Sequence, residues 1–410
     1  MLYCELKDHK IKYRNHEGGG VYVTAVEGAT ERQVSAYAAE LSALGFSSAR
    51  YTLGGNVFYT LLRGEDAVYL AFYPADGSFY IVEEPASAYP GFSCPAGESV
   101  TTPVFCQLDL HDYGLSDVIR ISDGRFIVID GGWENELDSD ELYSRLEQLS
   151  EGREIVIAAW IMTHPHLDHY RNFFSFMPKY ERCVKVERML YNFPGTGDED
   201  AVNVPLITQY DERANIDRFE SMIRDYGIPS YRPHTGQTYD VGDAHIEILG
   251  SPDENFEPPV SNANNISLVF KMTLGGNTVF ITGDYQFYVG TFTKKWGDYV
   301  RSDIHQLSHH AFHGETKELM RLVAAPTCVI PSFEDDVYKK IGTKYSYFHL
   351  MLEMEQTREV LVGSHTGGDP DPACDIVLHL PHTPDPKGRE RIAALVEKYG
   401  TTRDSITVDM

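Results

Sequence analysis

Apolar residues recur at two different periods along this chain, and the change of period divides it. Val34, Tyr37, Ala38, Leu41 and Leu44 stand three or four positions apart, the spacing of one helix face. Thr30 and Gln33 precede them at capping-box spacing, and Gly45 marks the stop. Val57 to Leu62, Ala67 to Phe72 and Ser78 to Val82 then read as strands, separated by the turn sequences Gly64-Glu65-Asp66 and Pro74-Ala75-Asp76-Gly77. Residues 1–84 are therefore expected to form a small α+β domain. No chemistry stands out in it, so it reads as a packing or partner-binding appendage.

Residues 85–102 are rich in Pro, Ala and Gly and read as a linker. From 103 to 410 the pattern becomes a long mixed domain. Strands are expected at Val104 to Leu110, Asp117 to Ile121, Arg125 to Ile129, Ile155 to Met162 and His245 to Leu249. Further ones are expected at Ser267 to Leu274, Asn277 to Thr282, Ile304 to Leu307, Cys328 to Pro331 and Asp375 to Leu380. Helical spacing falls near 138–149, 168–177, 211–226, 315–324, 344–356 and 387–399. Gly275-Gly276-Asn277 is a tight hairpin, which a doubly wound parallel sheet would not contain. Hairpins with interspersed helices predict an α+β fold of two sheets with helices on their outer faces.

Charge and cysteine content narrow the function. A formal net charge of -26 repels polyanions, so a nonspecific binder of long nucleic acid is disfavoured. A small phosphorylated substrate stays open, because bound cations reverse the potential locally. Cys4, Cys94, Cys106, Cys183, Cys328 and Cys374 are scattered without a CxxC pair, the pattern of reduced thiols. The first residues show no basic segment leading into an apolar run, and no apolar stretch approaches a membrane span. The expectation is a cytoplasmic protein with no membrane partner.

The informative segment is Thr163-His164-Pro165-His166-Leu167-Asp168-His169, where an apolar strand runs into four metal-capable side chains. Zinc favours imidazole nitrogen and carboxylate oxygen, with three or four such groups converging at about 2.0–2.2 Å. A loop leaving a sheet edge can place His164 and His166 on one side, with Asp168 and His169 serving a neighbouring ion. A lone histidine here would read as solvated; four ligand types at this spacing read as a metal site.

This His-x-His-x-Asp-His order resembles the signature of the metallo-β-lactamase superfamily. Phe126-Ile127-Val128-Ile129-Asp130-Gly131-Gly132 is similar to its first motif, where Asp130 would orient metal-bound histidines. Thr282-Gly283-Asp284 resembles the motif whose Asp bridges two ions, and Ser308-His309-His310-Ala311-Phe312-His313-Gly314 resembles the closing His motif. One of His309 and His310 would ligate; His309, nearer the strand end, is the first choice. His313 is open between a substrate-side acid and a surface histidine. Asn264-Asn265-Ile266-Ser267-Leu268-Val269-Phe270 is similar to the metallo-β-lactamase domains of bacterial competence (DNA-uptake) proteins and their freestanding relatives. The likeness covers about 103–335.

The resemblance implies a four-layer αββα sandwich and a hydrolase with a water activated to hydroxide by one or two Zn2+, with Mn2+ or Fe as alternatives. Asp168, Asp130 and His313 would be the catalytic groups around that water. Two departures matter. Tyr170-Arg171-Asn172 stand where the family has Gly-Gly, so Arg171 is open between an anion contact and a helix-surface arginine. The third His of the first site has no clear counterpart, His234 and His245 being the positions to consider. The first functional expectation is a phosphoester or phosphodiester hydrolase. A lactone or thioester hydrolase and a catalytically decayed metal-binding module are the alternatives.

Overall fold

The computed structural model describes residues 3–6, 9–85, 91–111, 114–197, 212–254, 262–288, 291–311, 314–333, 354–363 and 372–399. The first strands are β1 (Lys10–Gly18), β2 (Val21–Glu27), β3 (Ser47–Leu53), β4 (Asn56–Arg63), β5 (Asp66–Tyr73) and β6 (Ser78–Pro85). They form one antiparallel sheet in the order β1-β2-β6-β5-β4-β3. Helix α1 (Glu31–Ala43) starts at the expected capping box, with both reciprocal Thr30–Gln33 bonds formed. Val34, Tyr37, Ala38 and Leu41 of α1 pack on Tyr59, Leu61, Val68, Leu70, Phe79 and Ile81. Alternation along the same strands sends Phe58, Ala71 and Tyr73 to the opposite face, where they pack with Leu249, Phe280, Phe292 and Trp296. Both faces are thus covered. Edge strand β3 escaped the sequence reading because its polar side chains are mostly exposed and carry no apolar alternation.

The remaining strands are β7 (Val104–Gln107), β8 (Ser116–Arg120), β9 (Phe126–Asp130), β10 (Ile155–Ile161), β11 (Val184–Val186), β12 (Met189–Leu190), β13 (Ser230–Tyr231) and β14 (Thr238–Val241). They continue with β15 (Ala244–Gly250), β16 (Val269–Leu274), β17 (Asn277–Ile281), β18 (Ile304–Gln306), β19 (Thr327–Phe333), β20 (Glu359–Gly363) and β21 (Ile376–His379). Among the described residues they make two sheets. One runs β13-β12-β10-β9-β8-β7-β21 with β11 beside β10, and the other runs β14-β15-β16-β17-β18-β19-β20. Ile119, Ile127, Ile129 and Ile161 of the first meet Ile246, Phe270, Met272 and Ile281 of the second in the central core. Helices α2 (Glu136–Ser150), α4 (Phe173–Tyr180) and the helix Glu212–Asp225 cover the outer face of the first sheet through Leu142, Leu146, Phe173, Phe176 and Phe219. The helices Phe292–Trp296 and Lys317–Val323 cover the second. This is the expected α+β architecture of helix, sheet, sheet and helix, preceded by an N-terminal sheet.

Every strand expected beyond residue 103 is present, the first shortened to Val104–Gln107. The single helix expected over 168–177 is a correction: α3 (Leu167–Tyr170) and α4 are separate. Asn172 N–H donates to Gly132 O at 3.0 Å, and Asp168 O accepts from Leu115 N–H at 3.2 Å. Those bonds replace the helix ladder and pin the break against β8 and β9. The helix expected over 344–356 lies almost wholly outside the described residues. Residues 91–103 do not hang free: Ser93 O and Pro95 O accept from Arg188 Nη2 and Arg125 Nη2 at 2.6 and 2.7 Å. No helix among the described residues is long and apolar enough to cross a membrane.

Candidate metal centre

Parallel strands end side by side at one edge of each sheet, and the residues just beyond those ends build the site. β9 and β10 are parallel neighbours, with Ile161 opposite Ile129, so Asp130 and the Thr163–His169 loop emerge together. β17 and β18 are also parallel, which brings Thr282-Gly283-Asp284 beside Ser308-His309-His310. Leu268 N–H donates to Thr163 O at 2.9 Å and ties the two edges to each other.

Asp130 organises the first edge. Its Oδ1 accepts from Thr163 N–H at 2.7 Å; its Oδ2 accepts from Thr163 Oγ1–H at 2.7 Å and from His169 Nδ1–H at 2.8 Å. Since the Thr163 hydroxyl proton is spent on Asp130, Thr163 Oγ1 accepts from His164 Nδ1–H at 3.1 Å. Across the site, His310 Nδ1–H donates to Pro331 O at 2.7 Å. Each of these bonds places a proton on Nδ1, so the neutral ring would present its lone pair from Nε2, the tautomer a metal ligand needs.

The Nε2 atoms converge. His164 Nε2 and His169 Nε2 lie 3.9 and 3.3 Å from Asp284 Oδ2. His310 Nε2 lies 3.3 Å from Asp168 Oδ2 and 3.6 Å from Asp284 Oδ2. Among the described residues, two groups have the compactness to hold a cation: His164, His169 and Asp284, and Asp168, His169 and His310. The His166 ring stands beside that of His164, with centroids 4.7 Å apart. His309 Nε2 is 3.8 Å from Asp284 Oδ2 and takes Asn264 Nδ2 at 3.2 Å; it belongs to neither group. Geometry thus reverses the preference for His309 and puts His310 among the candidate ligands.

Backbone strain is concentrated here. Asp130 has φ of 52°, and His309, His310 and Ala311 have φ of 52°, 52° and 58°, a left-handed run that costs on the order of 1–3 kcal/mol per residue. The run is held by Ser308 N–H donating to Glu315 Oε1 at 2.9 Å and by His309 N–H donating to Gly283 O at 3.1 Å. Gly283 itself has φ of 50°, and a Cβ there would come within 3.0 Å of the Thr163 side chain.

Burial sets the electrostatics. His164 is wholly buried, and burial, with His169 and His166 nearby, holds its pKa well below the usual value, so it is neutral. Burial alone would lower His169 too, but Asp284, Asp168 and Asp130 outweigh it and push it well up. For Asp284 burial opposes ionisation, yet His169, His310 and His309 hold the carboxyl well below its usual range. The Nε2 atoms of His164, His166 and His169, with Asp284 Oδ1, are buried without a hydrogen-bond partner. Such atoms are costly to leave bare, and a nitrogen/oxygen donor set of this kind fits Zn2+ or a similar divalent cation.

Other residues fall elsewhere. His234 is buried with both ring nitrogens committed, to Asp253 Oδ2 at 2.8 Å and Glu84 Oε1 at 3.0 Å, so it does not supply the third histidine. His245 is an exposed partner of Asp240. Arg171 pairs with Glu212 Oε1 at 3.0 Å, and Tyr170 donates to Glu212 Oε2 at 2.6 Å. Asn192 Nδ2–H donates to Pro233 O, and Phe193 packs on Tyr170, both loop-packing roles. His313 lies outside the described residues.

Several neighbours of the site were not read from sequence. Thr163 relays Asp130 to His164, and Glu315 clamps the double-His turn. Asp117 on β8 is wholly buried, with neither carboxyl oxygen hydrogen-bonded. Burial and then Asp130 raise its pKa well above the usual range. The available signal was an acid directly before the apolar pair Val118-Ile119 of a strand.

Comparison with known proteins places this arrangement. Two crystal structures are similar to this chain at low identity and low TM-score. YhfI from Bacillus subtilis, a metallo-beta-lactamase fold protein, is 12% identical over 56% of this chain and 85% of its own, with a TM-score of 0.35. A beta-lactamase domain protein from Burkholderia ambifaria is 14% identical over 75% of each chain, with a TM-score of 0.29. No curated protein matches by sequence. The family model of the metallo-beta-lactamase superfamily matches residues 112–328, more than half of the chain and the whole stretch from the Asp130 strand to the double-His turn. This chain belongs to the metallo-beta-lactamase superfamily.

Proposed function

We propose that the chain is a metal-dependent hydrolase of phosphoester or phosphodiester bonds in a small substrate. The observation that carries this reading is the convergence of two three-residue donor groups on one buried spot, with Asp284 reaching the ligand atoms of both. Cation pairs about 3.5–4 Å apart suit phosphoryl chemistry, because both the attacking and the leaving oxygen must be stabilised. His164, His169 and Asp284, with the His166 ring beside His164, would hold one cation, and Asp168, His169 and His310 would hold the other. When bound, such cations polarise the substrate oxygen and lower the pKa of a coordinated water from 15.7 to about 7.

The chain's own residues do the rest. Asp130 fixes the His169 ring, and Thr163 fixes that of His164. Asp168, whose side chain keeps 18% exposed, would take the proton of the attacking water. His313 is proposed as the acid toward the leaving group. A net charge of -26 favours a small substrate over long nucleic acid. No disulfide forms among the six cysteines, all described, which accords with a reducing cytoplasm.

The test is turnover by the full chain loaded with Zn2+ or Mn2+, using chromogenic phosphodiester, phosphomonoester, thioester and lactone substrates. Phosphoester turnover that disappears with Asp284→Ala supports the reading. Turnover confined to the thioester or lactone would replace it with a carbonyl hydrolase. No turnover by a metal-loaded chain would leave a metal-binding module.

A further inference from the structure

Resting on the metal-centre reading, we propose that the N-terminal sheet is a positioning element for that centre. Glu84 and Tyr73 hold the turn Pro252–Glu254, and that turn sets where Asn264 meets His166 and His309.

The two acids of this turn are tied to two different strands of the sheet. Asp253 Oδ2 accepts from His234 Nδ1–H at 2.8 Å, while His234 Nε2–H donates to Glu84 Oε1 on β6 at 3.0 Å. The His234 ring also stacks on Tyr69 of β5, with centroids 4.2 Å apart. Glu254 accepts directly from the Tyr73 hydroxyl at the end of β5 and from Lys295 Nζ at 2.7 Å. Asp253 takes a further bond from Ser251 Oγ–H at 2.6 Å. Glu84, Asp253, His234 and Lys295 are all less than one-tenth exposed.

Charges buried this deeply are expensive to desolvate and persist only where each finds its partner. Adhesion between the sheet and the rest of the chain needs none of them, since Phe58, Ala71 and Tyr73 already pack into an apolar cluster with Phe292 and Trp296. The ionic contacts add direction and register, and those of His234 and Lys295 both end on one turn of three residues.

That turn leads on to the site. Pro252–Glu254 packs against β6 on one side and against the 3-10 turn Ala263–Ile266 on the other. Asn264, in this second turn, is buried; its Nδ2 lies 3.2 Å from His309 Nε2, and its side chain also bears on His166. Packed elements shift as units, so a displaced first turn moves the second.

The experiment is a cobalt titration of the full chain followed by visible absorption, with circular dichroism to confirm folding. Tyr73→Phe and Glu84→Gln are each expected to weaken cobalt affinity by about tenfold and to shift the absorption bands. Asn264→Ala should give a similar loss. Combined with Glu84→Gln, it should cost less than the product of the two single effects, because both act on one contact. Should Glu84→Gln not fold, Tyr73→Phe, which loses one hydroxyl, carries the test. Native spectra and affinity in Tyr73→Phe and Glu84→Gln, or strictly multiplicative effects with Asn264→Ala, would overturn the proposal alone. Absence of cobalt binding by the unaltered chain would overturn the metal-centre reading and this proposal together.

Discussion

His169 donates from Nδ1 to Asp130 Oδ2 at 2.8 Å, and both side chains are wholly buried. The same carboxylate holds the Thr163 backbone and hydroxyl, so one residue at the end of β9 orients the loop and two of its histidines. Asp130→Asn can replace one acceptor oxygen but not both. It should weaken divalent cation affinity by about 10–100-fold while the protein remains folded. Isothermal titration calorimetry with Zn2+ measures it; unchanged affinity would remove Asp130 from the site.

The double-His turn makes a sharper test. His310 sits in a ligand group with Asp168 and His169, whereas His309 faces Asn264. His310→Ala should lower the number of cations bound per chain, and His309→Ala should keep that number while reducing turnover. Elemental analysis of the purified variants decides between them, and the reverse pattern would restore His309 as ligand.

Arg171 is tied to Glu212 and only 19% of its side chain is exposed. Arg171→Ala should therefore leave KM for an anionic substrate unchanged and lower the melting temperature, because the buried Glu212 loses a partner. A raised KM with unaltered stability would show that the guanidinium serves the substrate after all.

The N-terminal contact predicts a pH dependence of stability. Burial by itself would lower the His234 pKa from its ordinary value of 6.5, but Asp253 and Glu84 outweigh it and push it up to about 10. A folded-state pKa above the unfolded one stabilises fully below the unfolded value and is lost as pH rises through the folded value. The melting temperature should accordingly fall by at least about 3 °C between pH 6.5 and 10, and His234→Gln should flatten that slope. Equal slopes in the two proteins would refute the pairing.

Much of this was legible in one dimension. Strands β7 to β10, β15 to β19 and β21 carry strong apolar runs bounded by turn residues, and α1 carries its capping box, so local rules placed them, whereas β1, β2, β14 and β20 went unread. The short strands β11 to β13, of two or three residues, and the polar edge strand β3 carry too little pattern to be read. The break between α3 and α4 was invisible because it is made by Gly132, which lies 40 residues earlier than Asn172. His234 looked like a ligand by type, and only its neighbours Glu84 and Asp253 showed where its nitrogens point.

The amino-acid order by itself determined which residues had the chemistry to bind a cation, since imidazoles and carboxylates at strand ends are a local, countable feature. Tertiary structure alone decided which of them meet. Parallel pairing of β9 with β10 and of β17 with β18 sets the strand ends level, and a left-handed backbone at residues 309–311 turns His310, rather than His309, toward Asp168. Those are consequences of long-range register and packing, which no short window of sequence contains.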